Sequence, residues 1–337
     1  MEDRPVVEGY RIIGAEMSPY SVKVRAYFRY KDIPHHWVLR NAASQAEYQK
    51  HAKIPVIPLV VTPEGAGIQD STPIIDRMEE LFPEPSIHPD DPVARFISML
   101  IEEFGDEWGN KWMFHYRWAR DVDQRASAGR IARMMAPKAS EAELAAFAEQ
   151  VRTRMTGRVW FVGSSEANAP QIESGFQEML GLLEAHLATR PYLFGGRPAY
   201  GDFGLWGQFY ELWTDPTTGA LIEGNAPNVL AWIHRMLWPR AEGAFQSWQQ
   251  IAPTMMPILT KQVGRMFWPW TLANEKALAD GAEEFSVRLG DHVWTQKPQK
   301  YHARSLGMLR AKYAGTPGRK DLDMILAAAG CLAGMLA

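Results

Sequence analysis

The sequence predicts an α/β unit of about 75 residues, then an all-α domain, then a further C-terminal segment. Three observations lead to this. Between residues 10 and 82 the chain switches repeatedly between strand-like and helix-like patterns, in the order βαβ then ββα. Four prolines fall in the ten residues from Pro83 to Pro92, and no helix runs through such a stretch. From Val93 onward strand alternation gives way to long helical patterns.

Taken in order, Tyr10 to Gly14 reads as a strand that ends, turns through Met17-Ser18-Pro19-Tyr20-Ser21 and starts a helix over Val22 to Lys31. Proline suits the first helical position because its missing N–H would have no intrahelical partner, and Ser18 before it is an N-cap candidate. After Asp32-Ile33-Pro34, His35 to Leu39 reads as a second strand, and Ser44 to Ala52 as a weak polar helix. Val56 to Val61 and Gly67 to Gln69, separated by Thr62-Pro63-Glu64-Gly65, form a hairpin. Ile74, Ile75, Met78 and Leu81 recur at helical spacing after Asp70-Ser71-Thr72-Pro73, so a helix ends this unit.

The division is therefore an α/β unit at 8–83, a linker at 84–92, an all-α domain at 93–253 and an extension at 254–337. Helix breaks are expected near Pro137, Pro170, Pro191, Pro198, Pro216, Pro227, Pro239 and Pro253. In the extension, helical signals at Met255 to Glu284 and Tyr301 to Tyr313 flank a hairpin around Gly290-Asp291.

A formal charge of -3 and the lack of a long basic cluster argue against nucleic-acid binding. The longest uncharged apolar run, Met324 to Ala337, is too short to cross a bilayer as a helix. Met1-Glu2-Asp3-Arg4 does not open a signal segment, so a cytoplasmic protein is expected. Cys331 stands alone, which excludes an intramolecular disulfide and reads as apolar filler near the C-terminus.

The order of motifs resembles the glutathione S-transferase superfamily, over residues 8 to 250. Ser18-Pro19-Tyr20-Ser21 lies where the related glutaredoxins carry Cys-Pro-Tyr-Cys. Ile57-Pro58 resembles the family's cis-proline before the third strand, with Pro55 as the rival position. Asp70-Ser71, twelve residues after Pro58, resembles the acidic-serine pair that holds the γ-glutamyl end of glutathione. Pro198 to Phe203 resembles the family's helix N-capping box, except that Ala199 replaces its hydroxyl residue, a loss of about 1 kcal/mol unless another group substitutes. The extension is a further departure from ordinary members.

This resemblance implies a thioredoxin-like N-terminal domain, a helical substrate-binding domain and glutathione as co-substrate. A glutathione transferase must lower a thiol pKa that is near 8.5 when free. A hydroxyl hydrogen bond and a helix N-terminus together are sufficient for about one to three units. Ser18 is expected to hold the thiolate, and Ser21 to be a second donor or an exposed first-turn serine. A serine at both positions rules out disulfide exchange through the protein's own sulfur at this site. A cis peptide before Pro58 would turn the Ile57 N–H and C=O toward the cysteinyl backbone of glutathione. Ser71 and the helix N–H groups would bind the γ-glutamyl carboxylate, and Asp70 its ammonium.

Tyr20, Trp108, Trp112, His115 and Tyr116 are expected to form the wall for a planar hydrophobic electrophile. No metal site is expected, since His35 and His36 point to opposite faces of one strand and no Cys/His ligand spacing occurs. Transferase activity is the leading expectation. Glutathione-dependent ether cleavage or dehalogenation, or a non-catalytic binding module using the 254–337 surface, are the alternatives. The resemblance also implies a homodimer.

Overall fold

The structure, a computed structural model, describes residues 9–336. Met1 to Arg4, the first residue of the 8–83 unit and Ala337 at the end of the apolar run lie outside the described residues.

The N-terminal unit is a thioredoxin-like domain followed by a helical one, as expected. Its strands are β1 (Tyr10–Gly14), β2 (His35–Leu39), β3 (Leu59–Val61) and β4 (Gly67–Gln69), in sheet order β2-β1-β3-β4. β1 pairs parallel to β2 from Tyr10↔His35 to Gly14↔Leu39, and antiparallel to β3 with Ile12 opposite Val60. Helices α1 (Pro19–Tyr30), α2 (Gln45–His51) and α3 (Ser71–Leu81) fill the connections. α1 starts as its residues dictate: Ser18 is extended, its Oγ accepts from the Ser21 N–H at 3.3 Å, and Pro19 takes the first position.

β3 begins later than its apolar run suggests. Pro55 and Pro58 supply no N–H for a ladder, and the Gln69 side chain takes over the preceding backbone instead. Its Oε1 accepts from the N–H groups of Lys53 (2.6 Å) and Ile54 (3.1 Å), while its Nε2 donates to the carbonyls of Ile54 (2.8 Å) and Val56 (3.0 Å).

The helical domain comprises α4 (Pro92–Phe104), α5 (Asn110–Ala119), α6 (Asp121–Met135), α7 (Glu141–Thr156), α8 (Ala169–Leu187), α9 (Tyr200–Thr214), α10 (Pro216–Asn225) and α11 (Pro227–Met236). Pro92 opens α4 instead of closing the linker, because Asp91 caps the helix by accepting from Val93 and Ala94. A π-helical turn at Gly105–Gly109 joins α4 to α5. α9 is the central helix. A Cβ on Gly207 would lie 2.5 Å from the Pro19 carbonyl oxygen, so only glycine lets α9 reach the start of α1. The missing hydroxyl at residue 199 is offset by Asp202, which accepts from Ala199 N (2.9 Å), Leu193 N (2.8 Å) and Trp232 Nε1 (2.9 Å).

The C-terminal segment adds α12 (Trp248–Ile258), α13 (Trp268–Ala279), the hairpin β5 (Phe285–Leu289) and β6 (His292–Gln296), then α14 (Lys300–Ala314), α15 (Arg319–Ala328) and α16 (Leu332–Met335). Pro253 does not break a helix as expected. α12 continues past Pro253 and Pro257 through a π-helical stretch, Leu259–Phe267, into α13. Burial of Ile251, Met255, Ile258 and Leu259 outweighs the two lost backbone bonds. The segment packs directly on the helical domain, with Phe267 against Phe104, Trp270 and Trp294 against Trp108, and Tyr313 against Phe96. Cys331 is fully buried and its thiol is pushed up to about 12 by that burial, as apolar filler requires. Among the described residues no helix is long and apolar enough to cross a membrane.

One histidine makes the fold acid-sensitive. His186 is fully buried, with Nε2 2.8 Å from the Leu193 carbonyl and Nδ1 2.8 Å from the Thr254 hydroxyl, so the neutral ring satisfies both partners. Burial, aided by Arg190, lowers its pKa to about 4. Above the unfolded value near 6.5 the neutral ring costs nothing, and as pH falls from there toward 4 the unfolded chain takes the proton first. Urea unfolding at pH 7 and pH 5 is expected to show a loss of about 2 kcal/mol from this site, which His186→Gln removes.

Candidate functional site

A cavity of about 980 Å³ opens where three parts of the chain meet. The N-terminal unit contributes Tyr20, Val56, Ile57 and Asp70 to Pro73. The α4–α5 junction contributes Met99, Glu102, Glu103, Asp106, Glu107 and Asn110. The C-terminal segment supplies the facing wall, chiefly Tyr301, Arg304, Ser305 and Met308 of α14, with Trp160 and Phe161 at one side.

Ser18 is half-buried at the start of α1, two residues before the cavity-lining Tyr20, and is not itself part of the lining. Its Oγ accepts the Ser21 N–H, which leaves the hydroxyl proton free to donate elsewhere. The turn before it is held from the helical domain: Arg117 donates to the Met17 carbonyl at 3.1 Å while paired with Asp215 (2.7 Å) and Glu211 (2.6 Å). Ser21 is neither exposed nor part of the cavity lining. It is fully buried with its Oγ beside Gly14, because the first turn of α1 rolls that side onto β1. The Tyr20 hydroxyl donates to the Asp106 carbonyl (3.0 Å) and accepts from Asn110 Nδ2 (3.2 Å). Burial and the neighbouring carboxylates push its pKa well up, so it stays protonated.

The peptide before Pro58 is cis and the one before Pro55 is not. A second cis bond, Glu84–Pro85, lies in the linker. Ile57 precedes β3 and lines the cavity, whereas Pro58 is buried beneath it. Asp70 sits at the N-cap of α3 with φ 80°, yet its carboxylate makes no capping bond; it faces the cavity and accepts from the Tyr301 hydroxyl. Ser71 follows at the first turn of α3, almost fully buried, with weak bonds to Lys23 Nζ and Asp106 Oδ2, both 3.4 Å.

Beneath these residues lies a buried charge cluster. Lys23 reaches from α1 to Glu102 (2.5 Å) and Asp106 (2.6 Å) on the α4–α5 junction. Burial would push the ammonium down, but Asp106 and Glu102 hold it above its ordinary value. One ammonium serves two carboxyls. Glu102 is held ionised by Lys23 against burial, while burial pushes Asp106 up to about 8. Glu103 is pushed well up by burial and by Glu107, and accepts from Ser305 Oγ at 2.6 Å.

The expected aromatic wall is corrected. Trp108, Trp112, His115 and Tyr116 share a helix face, but that face is core: all four are nearly fully buried and absent from the cavity lining. Trp112 packs on Phe104 and Phe209, and Tyr116 on Phe176. His115 is satisfied by Ser164 Oγ (2.7 Å) and Glu173 Oε1 (3.1 Å). Trp108 is covered by Trp270 and Trp294 of the C-terminal segment, whose position the sequence does not reveal. The opposite face, at residues 102, 103, 106, 107 and 110, meets the cavity. Its signal was present as acidic residues recurring at i, i+4. Lys23 is one of several cations along α1, with Arg25 and Arg29, so neither it nor Tyr301 stood out in the sequence.

Residues 12–86 match the N-terminal domain of the glutathione S-transferase family and residues 140–235 its C-terminal domain, together about half of the chain. A probable glutathione S-transferase of Oryza sativa subsp. japonica is 23% identical over 151 residues, 42% of this chain, and the match spans 55% of the rice protein's length. The fold is similar to a glutathione S-transferase from Rhodospirillum rubrum F11 (15% identity, 88% of this chain and 99% of that one, TM-score 0.43). It is also similar to the β-etherase LigF from Sphingobium sp. strain SYK-6 (18% identity, 68% and 94%, TM-score 0.44).

Proposed function

Because the chain belongs to the glutathione S-transferase superfamily, we propose that it is a glutathione transferase in which Ser18 stabilises the thiolate for attack on an electrophilic carbon. The carrying observation is the Ser18 hydroxyl, which satisfies the helix with its lone pair and keeps its proton to give. In the reaction a carbon–sulfur bond forms, the bond to the leaving group breaks, and the leaving group departs with its electron pair. The helix N-terminus adds its positive end to the stabilisation.

Ile57 at the cis Pro58, Asp70 and Ser71 are the proposed glutathione contacts, as the line of residues entering the cavity supports. Asp70 takes the ammonium, while the Ser71 and Thr72 N–H groups, at the positive end of α3, receive the γ-glutamyl carboxylate. The second substrate takes the space between the α4–α5 junction and α14, against Met99, Trp160, Phe161 and Met308.

Retention on immobilised glutathione together with turnover of 1-chloro-2,4-dinitrobenzene tests the reading. Both are expected; a protein that does neither, and is indifferent to Ser18→Ala in glutathione binding, is not a transferase. A homodimer is the further proposal, and elution as a monomer in gel filtration overturns it.

A further inference from the structure

We propose that the C-terminal segment completes the amine end of the glutathione site, with Tyr301 as a positioning residue that holds the Asp70 carboxylate. This rests on the glutathione reading above.

Asp70 stands where an aspartate normally caps a helix, but its side chain makes no capping bond and its backbone holds φ 80°, a conformation uncommon for a residue with a side chain. The carboxylate instead faces the cavity and accepts the Tyr301 hydroxyl, from 231 residues away. Tyr301 is itself half-exposed and lines the cavity, so the contact stands at the ligand's edge and not in the core.

α14 is held in place independently of this contact. Ser305 bonds Glu103 at 2.6 Å, His302 Nδ1 lies 3.3 Å from Glu107, and Lys312 lies 3.3 Å from Asp76. Tyr301 is therefore presented by a fastened helix. Its O–H takes Oδ2 of Asp70 and leaves Oδ1 for a ligand's ammonium. Asp106 also lines the cavity, and its Oδ1 has no partner among the described residues although the residue is 94% buried.

Calorimetric titration with two ligands tests the assignment: glutathione, and the analogue in which a glutaryl group replaces γ-glutamyl so that the α-amino group is missing. Tyr301→Phe is expected to weaken glutathione about 5- to 30-fold and to leave the analogue within about twofold. In turnover the KM for glutathione rises while kcat at saturating glutathione is kept. Equal weakening of both ligands assigns Tyr301 a structural role and overturns the proposal, as does unchanged glutathione affinity in a wild-type protein that binds it. A wild-type protein that binds no glutathione overturns the underlying reading as well. Tyr301→Ala, assayed with the same ligand pair, is expected to give the same discrimination, and its loss there also overturns the proposal.

Discussion

Lys23→Met is expected to lower the unfolding free energy by about 3–5 kcal/mol at pH 8, because it strands two carboxyls in a buried place. Lys23 is fully buried, and among the described residues it is the ammonium that pairs with both Glu102 and Asp106, with Lys312 acting on Glu102 from further away. Its removal leaves their charge without compensation and breaks the tie between α1 and the α4–α5 junction beneath the cavity. The deficit should shrink as pH is lowered toward 5, since Glu102, which Lys23 holds ionised in the wild type, can take a proton in the variant, whereas Asp106, pushed up to about 8 even with Lys23 beside it, is largely protonated in the variant from the start. Glu102→Gln in the Lys23→Met background should restore part of the loss. Urea unfolding measures all three proteins, and a deficit under about 1 kcal/mol at pH 8 would mean that the cluster is not the tie described here.

Ser18→Ala is the second large effect, and it separates chemistry from capping. Loss of a hydrogen bond to a thiolate costs about 1.5–3 kcal/mol, so kcat/KM should fall about 10- to 100-fold. The thiol of bound glutathione should move up by about one to two units, and the pH–rate profile with it. The variant also loses the cap, worth about 1 kcal/mol of stability. Ser18→Thr, which keeps both hydroxyl functions, should recover stability and rate together. If Ser18→Ala lowers stability but leaves the thiolate absorbance titration where it was, the residue is a cap and nothing more.

Local chemistry made much of the fold legible. Ser18-Pro19 started α1, the proline-dense stretch separated the domains, and Gly290-Asp291 turned the hairpin. What stayed hidden depended on contacts between distant residues. The stripe Trp108, Trp112, Tyr116 has helical period whether it lines a pocket or a core, and distant partners decide between them: Trp270 and Trp294 over Trp108, Phe209 over Trp112 and Phe176 over Tyr116. The carboxyl face opposite it is paired by Lys23, which lies about 80 residues earlier in the chain, and no local pattern around residues 102–107 shows that partner. The two π-helical turns follow no propensity in their residues; Gly105 sits in one because a Cβ there would meet the backbone of Leu205 at 2.7 Å. Ser21 shows the limit from the other side, since its position in the motif was right and its orientation was not.

The contact between Asp70 and Tyr301 also has a consequence for the order in which the chain matures. The sheet and its three helices join residues close in sequence and can form early in synthesis, as domains generally do. The cavity's far wall does not exist until α14 has been made and docked, so a chain interrupted before residue 300 would carry the cavity-facing strand and helix ends with α14 missing opposite them. On the proposed reading, conjugating activity would therefore appear only once α14 has docked.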